Sequence, residues 1–149
     1  MYQNNRKMIM QQEMCLFRGF TKDQATQALN LLSQEGGEFN TRFAPMTDSM
    51  ETMKMEELIT ALFEGTALGG KALTEGQRVV LMAVTQKERA VTVMRAVKSV
   101  SEDPQDIVFA MVTQTALQWT LQEYIDHISE EHEYMKTHNP ADDPDMKKV

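Results

Sequence analysis

The sequence predicts an all-α fold: a helical bundle of five to six helices with a long C-terminal helix and a disordered acidic tail. Three observations lead there. The 7 glycines and 4 prolines are few, and they stand between periodic segments. Threonines at positions 21, 74 and 85 are each followed three residues later by Gln or Glu. That spacing lets two side chains reciprocally satisfy orphan amides in a helix's first turn. Between Pro104 and Pro140 there is neither glycine nor proline.

The elements follow in order. Met8, Ile9, Met10, Met14, Leu16 and Phe17 give a first helix over residues 5–17, and Arg18-Gly19-Phe20 a turn. Thr21 and Gln24 cap a second helix, with Ala25, Ala28, Leu29 and Leu32 at helical spacing. It ends at Gly36-Gly37, because glycine accepts the left-handed C-terminal conformation. Residues 36–48, with Phe39, Phe43 and Pro45, read as loop. Asp48 or Ser49 opens a third helix to residue 64, with Met55, Leu58, Ile59 and Leu62 as its stripe and Gly65 as its stop. Residues 66–71 are a short link. Thr74 and Gln77 open a fourth helix through residues 79–84, an apolar run that also suits a buried strand; the capping spacing decides for helix. Thr85 and Glu88 mark a kink near Val84, after which Ala90, Val93, Met94 and Val97 continue to Ser99. Asp103 is an N-cap, Pro104 takes the first helical position, and Asp106 complements the helix dipole. The last helix, residues 104–136, is roughly 48 Å long at 1.5 Å per residue and forms a hairpin with residues 75–99. Residues 1–138 are thus one helical domain, and 139–149 a disordered tail. No internal repeat is visible.

Composition bounds the function. The 149 residues, 42% of them hydrophobic, suffice for one domain with its own core. The lone cysteine, Cys15, rules out a disulfide framework and a multi-cysteine zinc site, and points to a reducing, cytoplasmic setting. No signal-peptide pattern is present. The longest apolar run falls far short of the ~20 residues a membrane helix needs, so no membrane partner is expected. A net charge of −7 disfavours bulk nucleic-acid binding. The charge is segregated, however. Residues 71–98 hold six cations against two acids, and residues 102–145 hold eleven acids against Lys136. Two neighbouring helices that complement one another explain this; an acidic face awaiting a basic partner is the alternative.

The long helix carries a 4-3 heptad spacing at Ile107, Met111, Gln114, Gln118, Leu121, Ile125, Ile128, His132 and Met135. Such a seam suits self-association, with Gln114 and Gln118 either fixing register or drifting to solvent. Phe43, Met46, Met50 and Met53 form a second core face or, failing that, a docking patch of adaptable thioethers. Lys87, Arg89, Arg95 and Lys98 would face phosphates if residues 73–100 were a helix-turn-helix.

Chemistry is sparse. Glu123, His127 and Glu130 or Glu131 share a helix face, but the helical metal motifs are absent, so no metal or cofactor is assigned. His132 is a half-buried seam residue or a pH switch. Cys15 lies among apolar neighbours, as an inert thiol does. Phosphate loops, nucleophile elbows and cofactor fingerprints are missing. The run Leu16–Phe20 with Ala25, Ala28 and Leu29 resembles the start of ubiquitin-associated three-helix modules over some 20 residues. The third helix of such a module would fall on residues 38–46, where a loop with Pro45 stands, so the chain is not assigned to that family.

The function expected is non-enzymatic: a protein-interaction module, a small adaptor, regulator or assembly factor, self-associating as a homo-oligomer and binding an unidentified protein partner. A phage accessory protein fits the profile. The alternatives are a nucleic-acid-binding regulator that uses residues 73–100, or an acidic nucleic-acid mimic that inhibits a basic protein.

Overall fold

The computed structural model describes residues 11–34 and 39–137. It contains strands β1 (Gln11–Arg18), β2 (Phe39–Pro45), β3 (Val79–Ala83) and β4 (Val108–Met111). Its α-helices are α1 (Lys22–Gln34), α2 (Met55–Phe63), α3 (Lys87–Ser99) and α4 (Leu121–Thr137). The sheet order is β2-β1-β3-β4. The outer pairs β1/β2 and β3/β4 are parallel, and the central pair β1/β3 is antiparallel. Each parallel pair is joined by a crossover helix, as parallel neighbours must be.

Two apolar layers cover the sheet. Met14, Leu16, Val79 and Leu81 point to one face, against α2 and α4; Cys15, Phe17, Val80 and Met82 point to the other, against α1 and α3. Strands buried on both faces read as unbroken apolar runs without alternation. This is why Met14-Cys15-Leu16-Phe17 and residues 79–84 pass for helix in the sequence.

The all-α bundle is therefore corrected to a mixed α/β fold of four strands and four α-helices. The predicted first helix is strand β1 from Gln11 on; its residues 5–10 lie outside the described residues. The predicted loop 36–48 contains β2. Residues 79–84, predicted helical, contain β3, so no helical hairpin exists. The 104–136 rod is four pieces: a 3-10 turn at Pro104–Asp106, strand β4, a second 3-10 turn at Ala116–Gln118, and α4. Asp103 and Pro104 do stand at a helix start, but only of that first turn. The helix end at Gly36-Gly37 and the 139–149 tail lie outside the described residues.

Two capping boxes are made. At α1, Thr21 N donates to Gln24 Oε1 (3.0 Å) and Gln24 N to Thr21 Oγ1 (3.1 Å). At α4, Thr120 N donates to Glu123 Oε1 (2.8 Å) and Glu123 N to Thr120 Oγ1 (3.2 Å). The link between α2 and β3 is held down. Leu73 N donates to Met46 O (2.8 Å), Gly19 N to Leu73 O (2.9 Å), and Lys71 N to Asp48 Oδ1 (2.9 Å). No described helix is long and apolar enough to cross a membrane.

Candidate functional site

The capped start of α1, the end of β2 and residues 72–74 of the link enclose a groove of about 430 Å³. Gly19, with φ of +85°, turns the chain sharply out of β1 and places Phe20 under α1. Phe17, Phe20 and Phe43 form the aromatic wall: Phe17 meets Phe20 edge-on at 6.3 Å and Phe43 at 6.3 Å, tilted. Ala25 and Leu29 line the helix side, and exposed Lys22 stands among the lining residues. Behind the rings, a crevice of about 10 Å³ reaches Cys15. That is at the lower limit for one water. β2 is an edge strand, so its outer backbone is unpaired within the sheet.

A polar site lies inside the α1/α3 layer. Glu13, 1% exposed, accepts hydrogen bonds from Arg89 Nε (3.2 and 3.1 Å) and Arg89 Nη2 (3.0 Å), and from Thr41 Oγ1 (2.7 Å). Arg89 Nη2 also donates to Thr41 Oγ1 (3.2 Å). Cys15 is fully buried; desolvation first, and the Glu13 charge second, push its thiol pKa far up, so it stays protonated.

The nine heptad positions do not share a face. Ile107 and Met111 belong with the α1/α3 layer; Leu121, Ile125 and Ile128 are core residues on the opposite side of the sheet. Gln114 and Gln118 are exposed in turns, His132 is half-buried with Nε2 unbonded, and Met135 is exposed. The reason is the break at residues 112–120, where the chain leaves the sheet and crosses to its other side. Met46 and Met50 are buried in the α2/α4 core with Met53 packed on it, whereas Phe43 lies on the opposite face as groove wall.

The basic set is likewise divided. Lys87, Arg95 and Lys98 are exposed on α3, with Lys98 Nζ 5.8 Å from the Phe109 ring centre, but Arg89 is buried in the ion pair. With β3 in place of its first helix, residues 73–100 are not a helix-turn-helix. On α4, His127 pairs with Glu131 (2.9 Å) and packs edge-on against Trp119 (4.8 Å). Glu123 is engaged in its cap, and the Thr120 backbone bond holds its carboxyl below the usual range. Among the described residues, no group of three or more His, Cys, Asp or Glu is placed to hold a metal ion.

Sequence reasoning overlooked the groove and the ion pair. Gly19-Phe20 was the available signal for the first. Glu13 and Arg89 lie 76 residues apart, and no local spacing reveals them.

Residues 78–135 match the model of a family described as a domain of unknown function (DUF3783). The match begins one residue before β3 and takes in α3, β4 and most of α4. No curated protein and no solved structure matches the chain.

Proposed function

We propose that this protein is a non-enzymatic interaction module that binds a short apolar segment of a partner protein in the groove between α1 and β2. The observation that carries the reading is an aromatic wall beside an open sheet edge. An extended segment laid there can add main-chain hydrogen bonds to β2 while alternate side chains enter the groove. Lys22 favours a segment with an acidic residue next to its apolar ones. The state of the reactive side chains supports the non-enzymatic part. Cys15 is sealed and protonated, and Glu13 and Arg89 saturate one another. Self-association through the former seam is not part of the proposal, because Leu121, Ile125 and Ile128 pack inside the chain's own core. The nucleic-acid reading is left with three separate surface cations on α3 and is not favoured.

The test is panning of a displayed peptide library on the full-length protein, followed by fluorescence anisotropy of the enriched peptides. Leu29→Glu places a charge in the groove from a half-buried helix position and should weaken binding at least tenfold; Arg95→Ala, on α3, should leave it unchanged. Enrichment of no peptide, or binding indifferent to Leu29→Glu, refutes the proposal.

A further inference from the structure

We infer that the chain is a fused pair, in which residues 14–63 are a second, diverged copy of the unit at residues 79–129 that carries the family match, joined to it through a self-recognition surface.

Both stretches run through strand, helix, strand, 3-10 turn and helix in that order, the second with one additional 3-10 turn, Pro104–Asp106, before its second strand. A shift of 65 positions places Met14 to Arg18 of β1 on Val79 to Ala83 of β3. It also places α1, 13 residues from Lys22, on α3, 13 residues from Lys87. A shift of 66 then places Phe43-Ala44 on Phe109-Ala110 and the first residue of α2, Met55, on the first residue of α4, Leu121. The strand registers agree under these shifts: Leu16 faces Ala44 as Leu81 faces Ala110. So does the burial, in the pairs Met50/Ala116, Met55/Leu121, Leu58/Tyr124 and Leu62/Ile128. Identical residues are few, among them Leu16/Leu81, Lys22/Lys87, Thr47/Thr113 and Ile59/Ile125, which is why the repeat is invisible in the sequence.

The junction is stronger evidence than the likeness. In a two-fold interface, residue i meets j and j meets i, and residues on the axis meet their own counterparts. Leu16 pairs with its counterpart Leu81 at the centre of the antiparallel β1/β3 ladder. Lys54 bridges its counterpart Thr120. The two bonds of that bridge, Met55 N to Trp119 O (2.8 Å) and Leu121 N to Met53 O (2.9 Å), are the same bond made in each direction. Unrelated halves have no reason to obey this rule at two separate places, the strand ladder and the bridge. The face of the matched unit that is covered here by the first half is therefore built to receive another unit of its own kind. This inference does not depend on the groove.

The test exchanges residues 43–63 and 109–129 within the full-length chain, keeping composition and length. Each core position then receives its counterpart, so a 17.0 kDa monomer with one cooperative unfolding transition is expected. An exchange displaced by two residues, 45–65 against 109–129, keeps strand alternation but turns the helix faces away, and should not fold. A second reading needs no variant: by amide hydrogen exchange in the native protein, Met55 and Leu121 should be protected within tenfold of one another. The inference is overturned if the in-frame exchange is no better folded than the displaced one, or if the two amides differ by more than a hundredfold.

Discussion

Arg89→Met preserves most of the side chain's length and packing but withdraws the guanidinium donors that face Glu13. Three hydrogen bonds of 3.0–3.2 Å disappear, and the Glu13 carboxylate, 1% exposed, is left with the Thr41 hydroxyl at 2.7 Å. Breaking one side of a buried ion pair costs about 3–5 kcal/mol, because the remaining charge has lost both its partner and its water. The surviving Thr41 bond places the expected loss near the lower end, about 3 kcal/mol. For a domain of this length, that is a fall of roughly 6–12 °C in the thermal midpoint. The assay is urea unfolding followed by circular dichroism, with the slope checked for constancy. Glu13→Met combined with Arg89→Met replaces the pair by apolar groups and should return to within about 1–2 kcal/mol of the parent. If Arg89→Met costs under about 1 kcal/mol, or the double variant is no more stable than the single one, the pair is not sealed from water and the reasoning fails.

Other outcomes follow from the same structure. Thr120→Ala removes the cap of α4 and should cost about 1 kcal/mol in the same assay. Because the Glu123 pKa is depressed in the folded state, its contribution is present above the ordinary carboxylate value and lost as pH falls through the folded one. A pH titration of stability should show this acid loss in the parent and less of it in Glu123→Gln. Cys15 should fail to react with a thiol reagent such as Ellman's in the native protein and react stoichiometrically in denaturant; rapid native labelling would contradict its burial. Gly70 has φ of +107°, and an added Cβ would clash with Ser49 and Asp48, so Gly70→Ala should destabilise by over about 1 kcal/mol. A neutral result in thermal unfolding would mean the link is not pinned there.

Signals that live within one turn of chain were legible. Thr21 with Gln24 located α1, Gly19 the turn before it, and Met55, Leu58 and Leu62 the buried stripe of α2. What failed was the reading of period. Ile107 and Met111, four apart because they bracket a strand, line up by chance with the true helical series Leu121, Ile125 and Ile128. The break between them was written in Thr120 and Glu123, a box no weaker than the one at Thr21. Inner strands with both faces covered lose the alternation that would have announced them. The groove needed Phe17, Phe20 and Phe43 brought together from two strands and a turn, and the ion pair needed Glu13 beside Arg89. Both are products of topology, which no window of sequence contains.

The link after α2 is fastened at Asp48, Met46 and Gly19, and Gln77 O accepts from Arg18 Nε (3.1 Å), so only residues 74–76 lie between these anchors as a leash. So short a leash holds the partners at an effective concentration in the millimolar range. Dilution therefore has no purchase on the intact chain. A single proteolytic nick among residues 74–76 would change that: assembly would become second order, and the nicked protein's survival would depend on how much of it is present.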